Sequence, residues 1–97
     1  MSITIFATVE AKSDVSNAVE AALRAMIEPT RAEPGCLHYA LFASQEAAGT
    51  FHLLETYADD AALAAHHASA HFAALVESIG DKLAREIRIE RISALES

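Results

Sequence analysis

Cys36-Leu37-His38-Tyr39-Ala40-Leu41-Phe42-Ala43 and Phe51-His52-Leu53-Leu54-Glu55-Thr56-Tyr57 are two apolar runs joined by a short polar stretch over 45–50 that holds Gly49. Each run is of strand length and rich in aromatic and branched side chains. Two strands linked this closely are expected to pair as an antiparallel hairpin. In the second run Phe51, Leu53, Glu55 and Tyr57 point one way, and His52, Leu54 and Thr56 point the other. Bulky apolar groups therefore stand on both faces of the hairpin. A sheet face that meets water is polar, so both of these faces need cover.

The same alternation appears at the two ends of the chain. Residues 2–10 place Ile3, Ile5, Ala7 and Val9 on one face and Thr4, Phe6 and Thr8 on the other, which predicts a strand. Residues 84–93 place Ile87 and Ile89 opposite Arg88, Glu90 and Ile92, which predicts another. Between the first strand and the hairpin, Val15, Val19, Ala22, Leu23, Met26 and Ile27 recur at helical spacing. Ser13 and Asp14 are candidate N-caps for that helix. Pro29 is expected to end or kink it, and Pro34-Gly35 marks a turn. After the hairpin, Asp59 and Asp60 are placed to cap a helical region over 60–83. Its inward side reads Leu63, His66, Phe72, Leu75, Val76, Ile79 and Leu83, with a restart at Ser69 and a weak end at Gly80.

The order β-α-β-β-α-β is that of a ferredoxin-like α+β unit with an antiparallel sheet. Helices cover one sheet face. The simplest cover for the other is a second copy of the sheet, so a homodimer with two sheets face to face is expected. Residues 1–97 read as one domain.

Composition limits the possible partners. Seven basic residues against 14 acidic ones give a net charge of −7, and the basic residues are scattered. No basic stripe is available to neutralise phosphates, so neither nucleic acid nor a membrane surface is an expected partner. The single cysteine, Cys36, cannot form an intrachain disulfide and reads as a small buried hydrophobe rather than a nucleophile. The first residues lack the pattern of a secretion signal, and no apolar run reaches the roughly 20 residues of a membrane helix. A cytoplasmic location is the expectation.

Three segments resemble the antibiotic-biosynthesis-monooxygenase family. Glu33-Pro34-Gly35-Cys36-Leu37-His38-Tyr39 is similar to its Glu-Pro-Gly-Cys turn, which a hydrophobic and then an aromatic residue follow. Phe51 to Tyr57, with Asp59 to His66, is similar to a second block, and His66-His67-Ala68-Ser69-Ala70-His71-Phe72 to a third. The resemblance implies a dimeric α+β barrel of ferredoxin-like units. It also implies an enzyme of one of three kinds: a cofactor-free oxygenase of quinols and polycyclic phenols, a haem-degrading oxygenase, or an isomerase of a phosphorylated signalling sugar. The haem branch fits poorly, because the chain has no tryptophan and carries Val76 where the iron ligand is expected. The isomerase branch uses a histidine late in its first helix, where this chain has Ile27.

The leading expectation is therefore a cofactor-independent monooxygenase that takes a small aromatic substrate and O2. Glu55 and His66 are the candidate catalytic pair: the carboxylate fixes one ring nitrogen, and the other acts as the base. The same pair can equally be a hydrogen bond that ties helix to strand. His71, Tyr57, Tyr39 and Phe72 are the candidate substrate contacts, with core packing as the plainer alternative for the aromatic three. His38 and His52 read as hydrogen-bonded sheet histidines. His67 and His71 have the i, i+4 spacing of two metal ligands, but the restart at Ser69 separates them and no third ligand is evident, so no metal is expected. A non-catalytic dimer that binds a small apolar molecule remains the alternative from a different class.

Overall fold

The computed structural model describes residues 1–96. Four strands, β1 (Ile3–Glu10), β2 (Cys36–Ala43), β3 (Thr50–Tyr57) and β4 (Arg88–Ile92), form one antiparallel sheet in the order β2-β3-β1-β4. The helices are α1 (Ser16–Ala25), α2 (Ile27–Arg31), α3 (Asp60–His67) and α4 (Ala70–Ile79). This is the ferredoxin-like α+β arrangement that the element order predicts.

Strand pairing follows the alternation residue by residue. Ile5 faces Glu55, Ala7 faces Leu53 and Val9 faces Phe51 across β1 and β3. Tyr39 faces Glu55 and Leu41 faces Leu53 across β2 and β3. On this helix-covered face Ala7, Val9, Tyr39, Phe51 and Leu53 build the main core with Val19 and Leu23 of α1, Met26 just after it, and Leu75 and Ile79 of α4, while Ile5 joins Tyr57 and Leu63 in a second cluster. The opposite face has no helix over it. There Phe6 stacks on His52 at 5.2 Å, Thr4 bonds Thr56 at 3.0 Å, and Phe42 is 50% exposed.

Four boundaries differ from the sequence reading. Ser13 and Asp14 lie in a one-turn 3-10 helix and cap nothing with their side chains; α1 starts at Ser16. The first helix breaks at Met26, three residues before Pro29, and resumes as α2. Pro29 has no N–H to give the Ala25 carbonyl, so a regular ladder cannot run through this point. The last helix stops at Ile79, because residues 82–84 return to the sheet: Lys12 N–H donates to the Lys82 carbonyl at 2.9 Å, and Ala84 N–H to Glu10 at 2.8 Å. Leu83 therefore bridges Ala11 and is not helical. The final strand shortens from 84–93 to Arg88–Ile92, the stretch that pairs with β1. Val76 is 50% exposed, not inward. It lies about 100° around the helix from Leu75, outside the stripe of Phe72, Leu75 and Ile79.

Ser69 does restart the helix. Its side chain accepts from Phe72 N–H at 3.2 Å, and Asp59 caps α3 by accepting from Ala62 N–H at 2.8 Å. No described helix is long and apolar enough to cross a membrane.

The turn before β2 packs tightly on α3. A Cβ at Gly35 would overlap the Ala62 Cβ and lie 3.3 Å from the Ala62 Cα, both on a helix that cannot yield locally. Gly35→Ala is therefore expected to cost about 1–3 kcal/mol, as overpacking does elsewhere, read as a lower midpoint in urea at unchanged m-value.

Candidate active site

The tight turn delivers a carboxylate to the interior. Glu33 follows α2 and is held by two backbone bonds, its N–H to the Thr30 carbonyl at 3.0 Å and its carbonyl from Cys36 N–H at 3.1 Å. The Gly35 carbonyl accepts from Ala58 N–H at 2.9 Å, fixing this turn to the end of β3. Glu33 Oε2 then lies 2.9 Å from His66 Nδ1 and 2.5 Å from His71 Nε2. One oxygen bridges two imidazoles from two helices.

The break at Ser69 makes this bridge possible. His66 stands in the last turn of α3 and His71 in the first turn of α4. Ser69 Oγ donates to the His66 carbonyl at 2.6 Å, closing one helix, while it caps the next. The chain bends between them, and His71 turns toward Glu33. His67 does not join it; its ring packs on Phe72 at 5.0 Å. Partial desolvation, with His66 nearby, lowers the His67 pKa.

A carboxylate can only accept, so the bridge places protons on His66 Nδ1 and His71 Nε2. The His66 Nε2 lone pair then points inward. Glu55 Oε1 lies 3.7 Å from it, beyond hydrogen-bond reach. Glu55 instead accepts from the Tyr57 hydroxyl at 2.6 Å. The expected partner of His66 is thus close but not bonded, and Glu33 holds the ring.

His66 and Glu55 open onto a cavity of about 40 Å³ between the sheet and the helices. Tyr39, Phe72, Leu53 and Ile89 are among its walls, and no lysine or arginine among the described residues lines it. Of the four candidate substrate contacts, Tyr39 and Phe72 reach this cavity. Tyr57 is fully buried behind Glu55, with its hydroxyl committed to it. His71 lines a separate groove between α1 and α4, with Met26 and Leu75 on both sides of the partition. His38 and His52 lie on the uncovered sheet face, where Thr8 Oγ1 and His52 Nδ1 are 3.2 Å apart. Burial and the charge of Glu33 raise the Cys36 thiol pKa, which suits a packed thiol.

Residues 2–78 match the model of the antibiotic biosynthesis monooxygenase family. The chain belongs to that family. It is 33% identical over 94 residues to a Mycobacterium tuberculosis protein named "Putative monooxygenase", covering 97% of this chain and 92% of the relative. A solved M. tuberculosis structure superposes with a TM-score of 0.92 at 32% identity, covering 100% of this chain and 98% of that one. A Pseudomonas aeruginosa structure gives 0.92 at 33% identity, covering 98% and 95%.

Glu33 carries no role in the sequence reading, although it opens the Glu-Pro-Gly-Cys segment of the family. Its only mark in the sequence is an acidic side chain directly before a rigid Pro-Gly turn.

Glu55 has a pH signature. Burial raises its pKa, and the Tyr57 hydroxyl and His66 oppose that only in part. The folded state thus holds this proton more tightly than the unfolded chain does. The resulting stabilisation is complete below the ordinary carboxylate value of about 4.3 and is lost as pH rises through the folded value. Glu55→Gln keeps an acceptor for Tyr57 without the buried charge. It should melt above the wild type at pH 7, with the difference closing toward pH 4; a constant difference across that range would contradict the assignment.

Proposed function

We propose that this member of the family is a cofactor-independent monooxygenase of quinol-like or phenolic substrates, with His66 as its base. The observation that carries this reading is a buried imidazole, 2% exposed, held by Glu33 through Nδ1 and presenting Nε2 to an apolar cavity. Glu33 fixes the tautomer and stabilises the imidazolium that forms when a substrate hydroxyl gives up its proton. The phenolate gives one electron to O2. The aryloxyl radical and superoxide then join through a new C–O bond at a ring carbon, and the His66 imidazolium returns its proton to the peroxide anion so formed. The hydroperoxide loses water as its O–O bond breaks, and one oxygen atom remains as a carbonyl. A hydroquinone and O2 thus become a hydroxyquinone and water.

An apolar cavity of about 150 Å³ admits benzene; this one measures about 40 Å³, so even a single aromatic ring requires the walls to move. Phe72, half-buried, and Ile89, half-exposed on the edge strand, are the walls free to move aside. A polycyclic phenol needs a wider opening. The absence of lysine and arginine from the described cavity wall leaves a sugar phosphate without a counter-charge, which weighs against the isomerase reading.

Oxygen uptake with a panel of single-ring quinols, without added metal or flavin, tests this. Uptake above autoxidation should fall about 100-fold or more in His66→Ala, the usual range for removing a general base. Ligand affinity that survives His66→Ala, with no turnover in either protein, would make the chain a binding protein.

The uncovered sheet face supports a homodimer as part of the same proposal, with Phe6, Phe42, Leu54 and Ile92 as the apolar contacts. Phe42→Asp is expected to sediment as a monomer where the wild type sediments as a dimer. Equal sedimentation of the two would remove this face from the interface.

A further inference from the structure

Glu33, His66 and His71 place three metal-type ligand atoms within 4.8 Å of one another. We propose that they form a site for one divalent transition-metal ion of the zinc class, exclusive with the base function of His66.

The donor set suits such an ion: two imidazole nitrogens and one carboxylate oxygen, leaving a fourth position open. The side chains are 2%, 15% and 24% exposed for His66, Glu33 and His71, so the set is largely removed from water. Glu33 has no lysine or arginine partner among the described residues; two imidazoles face this partly buried carboxylate. Ligand atoms around tetrahedral zinc lie roughly 3.3 Å apart, given bonds of about 2.0–2.1 Å. The present 2.9 and 2.5 Å separations must widen by under about 1 Å, and His71, at the open end of α4, is free to do so.

The far side of His66 is also prepared. When the ion takes Nδ1, the ring proton moves to Nε2, and Nε2–H then faces Glu55 Oε1, now 3.7 Å away. A metal-bound imidazole typically gives its other N–H to a carboxylate in this way. His71 makes the matching switch from Nε2–H to Nδ1–H, so no proton is lost overall. With Nε2 protonated, His66 cannot accept from a substrate. The ion is thus an inhibitor of the reaction proposed above, and that consequence alone rests on the oxygenase reading.

Calorimetric titration of the chelator-treated full chain with Zn2+ tests the site without any substrate. One ion per chain is expected. Glu33→Gln and His71→Ala should each weaken binding by about 10- to 100-fold or more, while His67→Ala binds as the wild type does. Co2+ should give the visible absorption of a four-coordinate site in the wild type and lose it in His71→Ala. If Glu33→Gln fails to fold by circular dichroism, His71→Ala, at the most open of the three positions, carries the comparison. No binding, equal binding in all variants, or a loss confined to His67→Ala overturns the site. Quinol turnover by the chelated protein is read separately: turnover without zinc binding removes the site alone, and zinc binding without turnover removes the oxygenase reading alone.

Discussion

One carboxylate oxygen holds the functional end of this fold together. Glu33 Oε2 receives His66 from α3 and His71 from α4, and Glu33 itself comes from the turn that opens β2. Charge-assisted hydrogen bonds are worth about 1.5–3 kcal/mol each, which offsets the cost of drawing this carboxylate out of water. The bridge needs three local features at once. Gly35 must lie against Ala62, Ser69 must end one helix and start the next, and the helix before the turn must stop. Each is set by its own residue. The site is thus an outcome of how three chain reversals meet.

The sheet beneath it is a plainer problem, and the sequence describes it well. A period of two assigns every strand residue to a face, so β2 and β3 could be read almost to the residue. Ends were harder to read. The helix over 60–83 continues in pattern through Leu83, yet backbone bonds from Lys12 and Ala84 draw residues 82–84 into the sheet. Local spacing contains no trace of those partners. The caps show the same divide: Asp59 and Ser69 are decided by a bond three residues away and were legible, while Ser13 and Asp14 have equally good chemistry and cap nothing.

The site follows this rule too. Glu55 and His66 are visible as a polar strand residue and a helix histidine on apolar faces. Their relation is not visible. The hydroxyl of Tyr57, two residues along the strand, takes Glu55, and Glu33 takes His66 from 33 positions away. Alternation points Glu55 and Tyr57 the same way, so their bond was within reach of a pattern argument. A contact between a turn and a helix end has no period and leaves no comparable signature.

Two carboxylates now flank one imidazole, and their surroundings give them different work. Glu33 is bonded through Nδ1, partly open, and linked by His71 to the groove between α1 and α4. Glu55 lies deeper, is pushed toward its protonated form by burial, and is bonded only by Tyr57. A proton taken by Nε2 therefore adds positive charge beside a carboxylate already in contact with the far side of the ring. Through His71 that carboxylate also reaches a groove that leads to solvent. Glu55 borders the cavity without bonding the nitrogen that the proposed base function uses. If Glu55 accepted from Nε2 directly while Glu33 holds Nδ1, both ring nitrogens would carry protons and neither would have a lone pair to offer. The 3.7 Å gap is what leaves the Nε2 lone pair available.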